Sequence, residues 1–269
     1  MAFRVLSLNA WGGRLHETLL PYLAQADADV FCLQEIVRSH DGPSETRLYR
    51  DGALELPQRS DLFGEIAALL PNHDGFYFPT STGDLFSGAQ AIPAEFGIAT
   101  FVRKGFPIIA QTTNFVHGAY SPDGWGEHPR PRNAHVIRLH DHRSRTLITI
   151  AHMHGLRTQN GKEDCPERID QAHALRRQIE SIRRPGEGLV VCGDFNVLPG
   201  SATFDILGEL GLRDLVMAGG HTDTRTSWYK KTPRFADYML VTQTVDVTGF
   251  EVVAQPEVSD HRALVLDMR

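Results

Sequence analysis

Short apolar runs, four to six residues long and rich in β-branched or aromatic side chains, recur along this chain at 3–8, 29–33, 97–102, 134–139, 146–151, 189–192, 238–241 and 263–266. Each is bounded by Gly, Pro or polar residues, the pattern of strands. Fewer and longer helical patterns lie between them. The clearest covers 165–184, where Ile169, Ala172, Leu175, Ile179 and Ile182 recur at spacings of three and four. Asp164-x-x-Glu167 offers a capping box there, Pro166 suits the first turn, and Pro185-Gly186 ends the helix. Arg176, Arg177, Arg183 and Arg184 on its other face read as a solvated charged surface before they read as a phosphate patch. Weaker helices are expected at 15–26, 60–70 and 202–210. Asp141-His142-Arg143-Ser144 reads as the turn of a hairpin joining 132–139 to 145–152. Residues 118–131 form a long Gly/Pro-rich stretch without periodicity, as binding loops often do.

At 269 residues the chain can bury a core without staples, and no repeat or linker divides it, so one domain is expected. With 27 basic and 33 acidic side chains the net charge is −6, which argues against bulk-charge binding of nucleic acid. Cys32, Cys165 and Cys192 are too few and too scattered for a disulfide framework or a zinc site. Cys32 and Cys192 fall inside apolar runs and read as core thiols. The segment from Met1 lacks a signal-peptide pattern and no run is long enough to span a membrane, so a cytoplasmic protein is expected.

The polar residues that end the apolar runs carry the chemistry. Residues 3–8 end in Asn9, 30–33 in Gln34-Glu35, 146–151 in His152, and 189–192 in Gly193-Asp194-Phe195-Asn196, while Ser259-Asp260-His261 precedes the last run. Strands of one sheet that end on one side bring such residues together. Asn, Glu and Asp oxygens suit Mg²⁺ or Mn²⁺, and Asn9, Glu35 and Asp260 meet that demand. Asp194 and the histidines are left for proton transfer and charge stabilisation. His152-Met153-His154 is the competing zinc-like feature, since two histidines two apart on a strand share a face. No third ligand follows at short spacing, and His154 reads as a turn residue.

Leu8-Asn9-Ala10-Trp11, Gln34-Glu35, Ala151-His152-Met153, Gly193-Asp194-Phe195-Asn196, Ala236-Asp237-Tyr238 and Ser259-Asp260-His261 resemble, in order, the signature blocks of the endonuclease/exonuclease/phosphatase superfamily. The resemblance implies an α/β fold, a four-layer α/β/β/α sandwich of two packed mixed β-sheets flanked by helices. It also implies a monomeric hydrolase of phosphate esters using one or two Mg²⁺ or Mn²⁺ ions. By the same resemblance Glu35, Asn9 and Asp260 are metal-site residues, and Asp194 orients or deprotonates the attacking water. Asn196 donates to a phosphate oxygen, His261 contacts the phosphate with Asp237 as its carboxylate partner, and His152 is a second phosphate-contacting histidine. Opposite charge from Asp237 is expected to raise the pKa of His261. Arg132 is a lesser candidate for a phosphate contact, with a structural salt bridge as its ordinary role.

A phosphodiesterase or nuclease leads these readings. The alternative is a phosphatase or phosphodiesterase acting on a small molecule or lipid head group, inositol phosphate-like or sphingomyelin-like. An inactive binding module fits less well, because an idle site has no reason to keep Glu35, Asp194 and His261 together. Loops carry specificity in such folds, and 39–59, 80–93, 118–131 and 217–233 are the candidates. The last holds Arg225, Trp228, Tyr229, Lys230 and Lys231, a basic and aromatic mixture able to meet bases or a head group.

Overall fold

A computed structural model describes residues 2–158 and 161–269; Met1, where the amino-terminal segment begins, lies outside them. The chain runs β1 (Phe3–Asn9), α1 (His16–Gln25), β2 (Val30–Arg38), β3 (Thr46–Asp51), β4 (Leu54–Arg59), α2 (Leu62–Leu69), β5 (His73–Ser87), β6 (Gln90–Arg103) and β7 (Ile108–His117). It continues through β8 (Arg132–Asp141), β9 (Thr146–His154), α3 (Pro166–Ile182), β10 (Gly188–Asp194), α4 (Ala202–Gly208), β11 (Leu212–Asp214), α5 (Leu215–Ala218), β12 (Asp237–Thr242), β13 (Val247–Val252) and β14 (Leu264–Met268).

These strands form two mixed sheets, one ordered β13-β14-β1-β2-β6-β5-β3-β4 and the other β11-β12-β10-β9-β8-β7. Alternation along β1 and β2 explains how they layer. Phe3 and Val5, with Val30 and Cys32, pack into the core shared with the second sheet. Their neighbours Leu6, Leu8, Phe31 and Leu33 face the other way, onto Leu19 and Leu23 of α1 and Leu62 and Ile66 of α2. On the second sheet Leu175 and Ile179 of α3 close the outer face. The result is the expected α/β/β/α sandwich. Strands apolar on both faces, such as Val190–Cys192, exist because they are covered on both. No described helix is long and apolar enough to cross a membrane.

Two expectations are corrected. Asp164 does not cap α3. Its oxygens accept Ser201 Oγ at 2.5 Å and the Ala202 N–H at 2.9 Å, so it serves the start of α4, and Cys165 is the residue before α3. Residues 39–59 and 80–93 are mostly strand rather than loop. Thr46 to Asp51 pairs with Leu54 to Arg59, and β5 and β6 form a long hairpin closing at Gly88-Ala89. Residues 118–131 are irregular, as expected, but Trp125 packs on Tyr49 at 5.3 Å and covers Gly83, so its ring belongs to a small satellite core.

Candidate active site

The ends of β1, β2, β9, β10 and β12 converge at one edge of the cleft between the sheets. A β-bulge aims the central carboxylate. Leu33 pairs with Ala99 and Ile36 with Gly97, so Gln34 and Glu35 together oppose a single residue, Ile98. Leu33 and Ile36 both face the helices, which leaves Gln34 and Glu35 on the inner side. Glu35 accepts the left-handed backbone this demands, with φ 54°. Such strain in a non-glycine residue persists only where the surroundings enforce it, and it gathers at functional sites.

Asn9, fully buried, sits between two carboxylates: its Nδ2 donates to Glu35 Oε1 at 3.1 Å and to Asp194 Oδ2 at 3.0 Å. Its Oδ1 accepts the Trp11 N–H at 3.0 Å. Asn9 thus bridges the two carboxylates through its amide nitrogen, while its oxygen is held by the Trp11 N–H. Asp194 Oδ1 accepts the Asn196 N–H at 3.0 Å. Asp194 Oδ2 also lies 3.6 Å from His261 Nε2 and 3.8 Å from His154 Nε2.

Behind His261, Nδ1–H faces both oxygens of Asp237 at 2.8 and 2.9 Å, which fixes the tautomer and leaves the Nε2 lone pair to Arg225 Nη1. Arg225 Nη1 also donates to Asp260 Oδ2 at 2.9 Å. The expected rise in the His261 pKa is reversed. Burial, then the Arg225 charge, lower it to about 4, while burial raises Asp237 to about 7. Burial also raises Glu35 and Asp260, and each feels a second carboxylate: Asp194 acts on Glu35, and Glu35 on Asp260.

Carboxylates buried this close together suit a cation, and the atoms say which members hold free oxygens. Asp194, Asp237 and His261 hold ligand-type atoms within 4.8 Å of one another. Asp194 already accepts from Asn9 and Asn196, and Asp237 from His261. Asp260 Oδ1 is buried with no hydrogen-bond partner, and Glu35 keeps part of its side chain open to the cleft. Hard oxygen donors of this kind fit Mg²⁺ or Mn²⁺.

Gly155 ties the strand ends together. Its N–H donates to Asp194 O at 2.6 Å, and its carbonyl accepts Arg132 Nε at 3.1 Å and Asn196 Nδ2 at 3.2 Å. A Cβ there would stand 2.2 Å from the Phe195 carbonyl. Arg132 is therefore anchored by backbone, its other contact being the Pro131 carbonyl at 3.1 Å, and burial lowers its pKa to about 10 against the pull of Glu35 and Asp194.

His152 is not in this group. It and His154 share a face, but His152 lies two residues deeper, between the sheets. Gln34 Nε2 donates to His152 Nδ1 at 3.3 Å and to Cys32 O at 3.1 Å. His152 must then carry its proton on Nε2 and donate to Thr100 Oγ1 at 2.7 Å. Thr100 in turn donates to His135 Nδ1 at 2.7 Å, and His135 Nε2 to Gln111 Oε1 at 3.3 Å. The chain runs in one direction with both imidazoles neutral. Burial agrees, holding His152 well below the usual histidine range and His135 at about 3.

Sequence reasoning passed over three cationic or ionisable groups here. His154 faces Glu35 at 3.8 Å. Arg225, named only as part of a loop, bridges Asp260 and His261. Lys162 donates to the Phe235 carbonyl, and burial lowers its pKa to about 8 against the charges of Asp194 and Asp237. His154 alone carried a usable signal, being the histidine nearer the strand end.

A family model described as "Endonuclease/Exonuclease/phosphatase family" matches residues 6–261. No curated protein matches the chain. Among solved structures, an endonuclease/exonuclease/phosphatase from Bacteroides vulgatus superposes with a TM-score of 0.69 at 18% identity, covering 100% of this chain and 99% of that one. A mannosyl-6-phosphatase from Bacteroides thetaiotaomicron gives 0.67 at 16% identity, covering 99% of each chain. D. rerio TDP2 complexed with a single strand DNA product gives 0.63 at 16% identity, covering 100% of this chain and 99% of that one. At these identities the likeness is one of fold.

Proposed function

The chain belongs to the endonuclease/exonuclease/phosphatase family of phosphoester hydrolases, and from that premise we propose that it is a divalent-metal-dependent phosphodiesterase or nuclease, acting as one domain over residues 1–269. The observation that carries the reading is Asp194, held by Asn9 and Asn196 and facing the Nε2 of His261, whose Nδ1 is clamped by Asp237.

Asp194 orients the attacking water and takes its proton at Oδ2. Asn9 and the Asn196 N–H keep that carboxylate aimed while the proton moves. His261 meets a non-bridging phosphate oxygen through Nε2. The charge of a docked phosphate favours a proton from solvent on that nitrogen in place of the Arg225 N–H it otherwise accepts, against the burial and the Arg225 charge. Asp237 holds the ring as this happens. His154 takes the role of second phosphate-facing histidine expected above of His152. Asn196 and Arg132 border the same space. One well-aimed donor can be worth about 2.7–4 kcal/mol in such a site. Glu35 and Asp260 would hold Mg²⁺ or Mn²⁺, which would supply neutralisation of the phosphate and of the developing alkoxide.

A second reading, hydrolysis of a small-molecule or lipid-head-group phosphate, is favoured by the net charge of −6 and by the fold shared with a mannosyl-6-phosphatase. Salt separates the two, because only nucleic acid loses affinity steeply as ionic strength rises. The first test is turnover of bis(p-nitrophenyl) phosphate after chelation and after return of Mg²⁺ or Mn²⁺. Activity should vanish and return, and Asp194→Asn should lower kcat by about 10²–10⁴-fold with an unchanged circular dichroism spectrum. Unchanged turnover in that variant overturns the assignment.

A further inference from the structure

Trp228 is 49% exposed, yet the turn that presents it is fixed on every side. Thr226 donates its N–H to Asp260 O at 3.1 Å and its hydroxyl to Ser259 O at 2.6 Å. Ser227 gives its N–H and hydroxyl to the two oxygens of Glu257 at 2.8 and 2.6 Å. The Tyr229 N–H returns to Thr226 O at 3.2 Å, and Arg234 Nη1 donates to Tyr229 O at 3.0 Å. Ordering a large side chain that stays half in water gains little for the fold.

Its neighbour is Trp11, 6.3 Å away between ring centroids and tilted by 60°. Trp11 holds a left-handed backbone, φ 52°, a costly conformation for a bulky residue. Arg14 places its guanidinium 4.0 Å from the Trp11 ring centroid. Both rings are tied to the site by short chain segments. Trp11 follows Asn9 by two residues and is held by it, and Trp228 follows the residue bonded to Asp260 by two. The segments that carry the aromatic pair are thereby tied to Asn9 and Asp260, and the Asp260 charge reaches Arg14.

We propose that Trp228, flanked by Trp11 and Arg14, is a stacking subsite for the base of a nucleotide whose phosphate occupies the carboxylate–histidine cluster. This rests on the phosphoester reading above and specifies its substrate class. The half-exposed indole offers a flat, polarisable surface to any base, and Trp11 stands tilted beside it. The adjoining guanidinium adds a cation beside the rings, which suits a stacked, electron-rich base and its phosphate.

AMP and ribose 5-phosphate carry the same sugar phosphate and differ in the base, so their affinities isolate it. Binding is read by calorimetry and by quenching of tryptophan fluorescence, with Mg²⁺ present. The full chain should bind AMP about tenfold to a hundredfold more tightly than ribose 5-phosphate, the range for one stacked base. Trp228→Ala should bring that ratio close to one, and Trp228→Phe should restore much of it. Equal binding of the two compounds, or a ratio that survives Trp228→Ala, overturns the stacking subsite and leaves the phosphoester reading intact. Equal loss of affinity for both compounds in Trp228→Ala also overturns it, because the indole then serves the sugar. If neither compound binds and no phosphate ester is hydrolysed with Mg²⁺ or Mn²⁺, the underlying reading fails and the subsite with it.

Discussion

Thr100→Val removes one hydroxyl and keeps the shape of the side chain, so its cost measures the polar chain between the sheets. The hydroxyl accepts from His152 Nε2 and donates to His135 Nδ1, both at 2.7 Å, and all three residues are no more than 1% exposed. Valine leaves one donor and one acceptor buried without partners. At about 1–3 kcal/mol for each group so stranded, the loss should be about 2–6 kcal/mol, a large share of the stability of an ordinary domain. Thr149 supplies the control. It is fully buried, and its Oγ1 has no hydrogen-bond partner. The same exchange there removes a polar atom that nothing satisfies, and Thr149→Val should be neutral or stabilise by about 1 kcal/mol. Urea unfolding at pH 7.5 reads both, provided the slope with denaturant is unchanged. A Thr100→Val loss no larger than that of Thr149→Val would refute the directional chain.

Two further outcomes follow from the same geometry. His135 is neutral in the fold with its pKa lowered to about 3, against about 6.5 unfolded. Below pH 6.5 the unfolded chain takes a proton that the native one refuses, so this contribution to stability falls as pH falls from 6.5 toward 3. By pH 5 it amounts to about 2 kcal/mol. Urea midpoints between pH 7.5 and 5 should fall less steeply in His135→Phe than in the wild type, and coincident slopes would sink this reading. Gly155→Ala should cost about 1–3 kcal/mol, because its Cβ meets backbone that cannot swing aside. Gly208→Ala in α4, where a Cβ meets nothing within 4 Å, should be neutral or gain up to about 1 kcal/mol. Equal thermal midpoints for the two variants would contradict the packing at Gly155.

Strands covered on both faces were legible in the sequence because a short, unbroken apolar run bounded by turn residues must be buried on both sides. The missed strands are of another kind. β7 alternates between half-buried and exposed residues, with Gln111, Thr113 and Asn114 on its surface, and β5 carries Gly75, Pro79 and Gly83. Pairing with a long neighbour holds them extended, and no local composition reports that. At the candidate site, the polar residues closing the buried runs meet at one edge, His152 excepted. Periodicity could not rank His152 against His154, since a period of two gives the face and not the depth. Nor could it say that Asn9 points its amide nitrogen at the carboxylates, or that Asp164 serves a different helix from the one it precedes. Arg225 and Lys162 arrive from irregular segments whose course is set by contacts distant in sequence.

The doubled position in β2 also decides which errors the gene can tolerate. Glu35→Gln would neutralise a carboxylate and leave the strand in frame. Deleting either Gln34 or Glu35 would restore strict alternation, with Ile36 then two residues after Leu33, still on the helix side, and the pairing from Ile36 to Arg38 unchanged. Val37 would stay in the small core it shares with Tyr49 and Leu85, and a single inward residue would stand opposite Ile98. The extra residue therefore serves the site and not the sheet: its loss would spare the strand and remove the left-handed turn that aims Glu35.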